Sequence, residues 1–187
     1  MLIKLNHIAT IQTGIYEKPH PLGNIKYIQG NMVNNNFELS LSNQFPMITG
    51  AMKYEKHLLR DSDILFMAKG ERNVAALYKA SLGDSVASSN FFVIRLRDKK
   101  ILAEYLIWVF NALYNSGKMK SLKKGTHIPS ISKKSLEMLE IPVPSIEIQK
   151  KIVQLQELWN REKLLTQELM NKKDQLYQRY VMEIANK

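Results

Sequence analysis

Four lysines fall within seven residues, Lys118, Lys120, Lys123 and Lys124, with no acid between them and with Gly117 and Gly125 on either side. Cations at this density on a glycine-bounded loop suit phosphate contacts, and His127 just beyond is grouped with them; a solvated helix end, its lysines facing the C-terminal dipole, has the same composition. A second group, AKGERN, sets Lys69, Arg72 and Asn73 on a polar tip. These residue types bond guanine or adenine edges, and Glu71 beside them can accept from cytosine. A plain hairpin turn would use the same letters. Lys53 and Tyr54, after ITGAM, form a third candidate.

Other chemistries find little support. His7, His20, His57 and His127 are scattered, with no two at helix-face or zinc-ligand spacing. The chain has no cysteine, which excludes disulfides, thiolate nucleophiles and cysteine-bound zinc. Neither a P-loop nor a dinucleotide-binding glycine fingerprint occurs, and the Asn/Asp-Pro-Pro-aromatic motif that amino-methyltransferases use on a flipped base is missing. Asp98-Lys99-Lys100 has a carboxylate-x-lysine spacing found in metal-dependent nucleases, yet it closes an alternating strand and lacks a second acidic element, so a charged turn is expected. The sequence therefore predicts no catalytic residue, no metal site and no cofactor.

These candidates need a scaffold. The 187 residues carry 27 Lys+Arg against 17 Asp+Glu, a balance of +10 that makes a polyanion the first partner to consider and an acidic membrane surface the second. An apolar fraction of 45% is that of a folded protein, and the longest apolar run, Tyr105 to Phe110, is too short to span a bilayer. A cytoplasmic, membrane-free protein is expected. From Leu2 to about Ser42, short apolar alternations separated by glycine and asparagine predict strands and turns, NMVNNNFELS among them. DILFMA and VAALYKA predict a hairpin around the tip Lys69 to Asn73, NFFVIRLR a further strand, and ILAEYLIWVFNALYNSG a helix ended by glycine. Trp108 belongs to the apolar face of that helix.

After Pro142 and Pro144, which hold Ile141 and Val143 extended, the pattern changes. Ser145 is a good N-cap and Glu147 lies in the first turn; from there to the end neither glycine nor proline occurs. With Ile148 at a heptad d position, Ile152, Leu155, Trp159, Leu169, Leu176 and Tyr180 fall at a or d, interrupted by Glu162, Thr166 and Lys173 and flanked by Leu158 and Leu165 at g. Such a stripe predicts a rod of roughly 60 Å that pairs with another helix. The fold class expected is α+β: a strand-rich domain over residues 1–144, then a long coiled-coil helix over 145–187.

The order of these segments resembles the specificity subunit of type I restriction-modification systems, in particular one target recognition domain with its following helix. Gly125, Ile128, Pro129, Ile131, Leu136, Leu139, Ile141, Pro142, Val143, Pro144, Gln149, Lys150, Ile152 and Val153 match the family's run from glycine turn to helix opening. IATIQTG, YIQGNMV, DILF, SSNFFVIRLR and YLIWVFN match its earlier strands and helix. Members of the family typically carry two such domains and two helices, so the resemblance implies a half-length form. It would homodimerise through antiparallel helices, bind double-stranded DNA at a bipartite palindromic target, and direct a methyltransferase subunit, with a restriction-translocase subunit as a further partner. Tyr177 and Tyr180 would meet the second copy or the methyltransferase. A decoy that enters a restriction complex through its helix, or a generic basic nucleic-acid-binding module, are the alternatives.

Overall fold

The computed structural model describes residues 1–39, 45–124 and 129–186. Along the chain lie β1 (Leu2–Lys4), α1 (Leu5–Ile8), β2 (Ala9–Thr13), β3 (Ile25–Ile28), β4 (Met47–Ile48), β5 (Ile64–Met67), β6 (Ala75–Leu77), β7 (Ser85–Ala87), β8 (Phe91–Leu96), α2 (Ala103–Asn115), β9 (Lys123–Lys124), β10 (Ser130–Ile131), α3 (Lys133–Glu137), β11 (Glu140–Pro142) and α4 (Ile146–Ala185). The α+β class expected from the pattern is what the chain adopts. Cα packing divides it into two compact units, Met1–Lys150 and Lys151–Lys187.

The first unit is built on an antiparallel four-stranded sheet in the order β2-β8-β5-β6. All four residues of β5 are buried, which explains why DILFMA is a continuous apolar run and not an alternation: both faces of its sheet are covered. Leu65 and Met67 pack with Phe91 and Val93 against Ile28 and Ala87 of a smaller sheet ordered β4-β3-β7. The next residue in register, Phe66, meets Phe110 of α2 at 5.2 Å between ring centroids. Removing a side chain buried like Phe66 typically destabilises a domain by about 3–5 kcal/mol.

Helix α2 is fixed to the sheet edge by one side chain. Asn111, buried, accepts from Ala75 N–H at 2.8 Å and donates to Ala75 C=O at 3.0 Å, so it acts as a strand partner where β6 has none. The helix stops at Gly117, whose φ of 75° a residue with a Cβ would adopt only under strain. On its face Trp108 stacks on the buried ring of Tyr105.

The chain's last strand returns to its first. β11 pairs with β1, and Val143 N–H reaches Met1 C=O at 2.8 Å. Pro142 and Pro144 flank that closure. Gln149 then anchors the opening turn of α4: fully buried, it accepts from Leu102 N–H and donates to the carbonyls of Lys100 and Pro144, at 2.8–2.9 Å. Glu147 has its carboxyl held below the usual range by its own backbone N–H and then by the Ser145 hydroxyl, the behaviour expected of a first-turn acid.

NMVNNNFELS, expected to hold short strands joined by an asparagine turn, forms a 3-10 turn at Gly30–Met32 and a bridge between Val33 and Leu39, with its Ser40 outside the described residues. Asn34 turns the chain there, its side chain accepting from the N–H groups of Asn36 and Glu38, a local bond that competes with strand pairing.

In the second unit α4 continues without a break to Ala185, and its apolar residues stay exposed: Leu155, Trp159, Leu169, Leu176 and Tyr180 are 53–69% accessible. No helix among the described residues is long and apolar enough to cross a membrane.

Candidate nucleic-acid interface

Strand directions decide which loops meet. β2 and β5 end, and β6 and β8 begin, at the same end of the four-stranded sheet. That end therefore collects the chain following Thr13, the tip Lys69–Asn73 and the turn Ser88–Asn90. Gly14 N–H bonds Phe91 C=O and Ile15 N–H bonds Ala87 C=O. A Cβ on Gly14 would lie 2.1 Å from the Ser88 carbonyl oxygen, so this close seam requires glycine. On its other side the Ser88–Asn90 turn meets the tip: Asn90 C=O accepts from Ala68 N–H, and Lys69 Nζ lies 3.5 Å from Ser89 Oγ.

The lysine-rich segment joins the same end. Ile131 N–H bonds Ala68 C=O, Gly70 N–H bonds Pro129 C=O, and Lys69 bridges Ser130. Lys123 donates to Glu71 C=O at 2.9 Å and lies 3.3 Å from the Glu71 carboxylate. Two of the three sequence candidates, remote in the chain, thus form one surface. Lys118 and Lys120 are exposed on either side of the buried Met119, on a 3-10 turn that follows Gly117. His127 and the side chain of Lys124 lie outside the described residues.

The third candidate meets Glu17, two residues beyond the Ile15 seam. Lys53 Nζ lies 3.2 Å from Glu17 Oε2, to which the Tyr54 hydroxyl also donates, and the Lys53 ammonium stands 4.8 Å over the Tyr54 ring. Glu17 N–H donates to the Tyr27 hydroxyl, which in turn donates to Ile15 C=O at 3.0 Å. The Tyr54 hydroxyl, then the Lys53 ammonium, then the Lys18 N–H hold the Glu17 carboxyl at a pKa of about 2.

Not every candidate side chain is available on this surface. Asn73 is fully buried and donates to Met67 C=O at 3.0 Å: it shapes the tip from inside and has no edge to offer a base. Arg72 is half-buried and donates to the carbonyls of Val33 and Asn34, which fastens the tip to the preceding loop. Tyr54 is buried and supports Glu17. Exposed there are Lys53, Lys69, Glu71, Asn90, Lys118 and Lys120. Asp98, meanwhile, accepts from Lys100 N–H at 2.9 Å in a charged turn.

Sequence reasoning missed Glu17 and the Ser88–Asn90 turn. SSN between two apolar strands signals a turn, but which loops surround it depends on strand order.

Residues 3–172 match the family described as the type I restriction modification DNA specificity domain. The chain belongs to this family. Among curated proteins, the type I restriction enzyme MjaVIII specificity subunit of Methanocaldococcus jannaschii is 27% identical over 143 residues, covering 70% of this chain and 32% of that protein. Among solved structures, one from work on complex assembly and conformational transition of the type I R-M system superposes with a TM-score of 0.66 at 15% identity, over 87% of this chain and 38% of that one. The S subunit from M. genitalium gives 0.61 at 16% identity, over 92% and 42%. HsdS from Thermoanaerobacter tengcongensis gives 0.57 at 15%, over 87% and 37%. At these identities the structures support the fold. The chain spans about a third to two-fifths of the length of these relatives.

The run that resembles the family, Gly125 to Val153, falls within the matched residues. Ile131, Leu136, Ile141 and Gln149 are buried, and Leu139 C=O accepts from Leu5 N–H.

Proposed function

We propose that this chain is a sequence-specific DNA-binding specificity subunit of a type I restriction-modification system, and that it works in pairs. The observation that carries the reading is the meeting of the Lys69–Asn73 tip with Lys123 at one end of one sheet, beside turns with polar side chains and with Lys118 and Lys120 exposed on the turn that leads to Lys123. Lysines give affinity through phosphates and fix register; base edges in the major groove are left to the polar groups between them. The domain binds and does no chemistry of its own, and methyl transfer and cleavage fall to methyltransferase and restriction-translocase partners.

Pairing follows from α4. A stripe of exposed leucines with Trp159 leaves apolar area in water that a partner helix would remove, at about 25 cal/mol for each Å². Two copies related by a two-fold axis present two identical reading surfaces, so the target is an interrupted palindrome. The domain is residues 1–144 and the pairing helix residues 145–187, with Ile148, Ile152, Leu155, Trp159, Leu169, Leu176 and Tyr180 in the seam.

Selection from a random-sequence duplex library tests this: two short inverted half-sites at fixed spacing are expected, and a single contiguous asymmetric motif contradicts it. Leu155→Asp should halve the solution mass of the dimer, and an unchanged mass would remove the helix from the interface.

A further inference from the structure

Glu17 and Lys53 differ from the rest of the surface in what they present. Lys118 and Lys120 form no ion pair among the described residues, and Lys123 is only 12% exposed on its side chain. Lys53 is 69% exposed and Glu17 32%, so both groups of the pair reach solvent. A phosphate approaching Lys53 would meet the Glu17 carboxylate at the same point, which makes Lys53 the surface lysine least suited to the DNA backbone. A base edge is different.

We propose that Glu17 and Lys53 together recognise one C·G base pair in the major groove, Glu17 accepting from the cytosine N4 amino group and Lys53 donating to guanine O6 or N7. Cytosine N4 and guanine O6 are bonded to one another within the pair, hence about 3 Å apart. Lys53 Nζ stands 3.2 Å from Glu17 Oε2, so the carboxylate, whose other oxygen Oε1 is the acceptor turned to the base, and the ammonium donor lie side by side on one surface. An A·T pair also sets a donor next to an acceptor. It flanks that acceptor with the thymine methyl, an apolar neighbour for an ammonium, where guanine offers two acceptors side by side.

The pair is held in place before DNA arrives. Glu17 Oε2 accepts from Lys53 and Tyr54, while Oε1, among the described residues, accepts only from Lys18 N–H, at 3.2 Å, which leaves it room for a further donor. Tyr54 and Tyr27, the two residues that steady Glu17, are 5% and 3% exposed. A side chain fixed in this way loses little freedom on binding and so discriminates well.

The inference rests on the DNA-reading role proposed above, and one experiment separates the two. The full chain, Glu17→Gln and Lys53→Met are each selected against a random duplex library, with circular dichroism confirming the fold. The parent should require C·G at one position of each half-site. Glu17→Gln should lower that preference about tenfold or turn it to A·T, since an amide pairs with adenine N6 and N7, and leave the other positions intact. Lys53→Met, at an exposed site, should relax the same position and no other. If both variants keep the parental preference everywhere, or lose it at every position, the pair is structural and the inference fails while DNA reading stands. If the parent enriches no motif, both fail.

Discussion

The two ends of the four-stranded sheet carry the same sign of charge in opposite ways. At the end where β8 finishes, Arg95 forms a two-pronged ion pair with Asp63 at 2.6 and 2.7 Å, and Arg97 donates to the carbonyls of Asn6 and Ala9. Asp63 is 1% exposed there and accepts from Arg60 N–H as well. At the other end Lys69, Lys118 and Lys120 stand in solvent. Guanidinium groups, planar and donor-rich, close the backbone at the first end; at the second, these three ammonium groups form no ion pair among the described residues. The sum of +10 says nothing of this division, which only strand direction reveals.

Substitutions at the two ends should therefore separate stability from binding. Asp63→Ala should act most strongly, because it strands the Arg95 guanidinium: a loss of about 3 kcal/mol, or roughly 10 °C in Tm by calorimetry, with the DNA motif of the folded fraction unchanged. A changed motif at unchanged Tm would reverse the assignment of the two ends. Gly14→Ala sharpens the comparison at the seam itself. Its methyl meets the Ser88 carbonyl, so about 1–3 kcal/mol should be lost in denaturant titrations, and DNA affinity should fall because the Ser88–Asn90 turn shifts.

Lys69→Ala combined with Lys120→Ala should leave stability within about 0.5 kcal/mol and lower the slope of log affinity against log salt by about 2, equally for every sequence. The same exchange at Arg95 and Arg97 should not move that slope. The smallest effect is expected in acid. The Glu17 carboxyl titrates near 2 in the fold against an ordinary 4.5, so its contribution is present above about pH 4.5 and disappears as pH falls toward 2. Stability measured over that range should differ between the parent and Glu17→Gln at its upper end and converge at its lower end.

Much of the scaffold was legible in the residues. DILFMA, NFFVIRLR and ILAEYLIWVFNALYNSG became β5, β8 and α2 because continuous apolar runs, alternation and helical spacing each have one packing solution here. In NMVNNNFELS the strand pairing shrinks to the Val33–Leu39 bridge, since Asn34 bonds its own neighbours in the turn between them. The surface was legible only by residue type. AKGERN supplied the right letters, yet Asn73 turned inward and Arg72 toward Val33, choices made by carbonyls that the local sequence does not name. Glu17 was passed over inside EKPHPLGN because its partners, Lys53 and Tyr54, come 36 and 37 positions later.

The central claim is that the end of the sheet holding Gly14–Glu17, Lys69–Asn73, Ser88–Asn90 and Lys118–Lys123 is the surface that meets DNA. Amide hydrogen exchange on the full chain, with and without a duplex recovered by selection, tests it most directly. Slower exchange is predicted in those four segments, with Asn6–Ala9 and Arg97 unaffected. Slowing around Asn6 and Arg97, with Lys69–Asn73 unchanged, would contradict it.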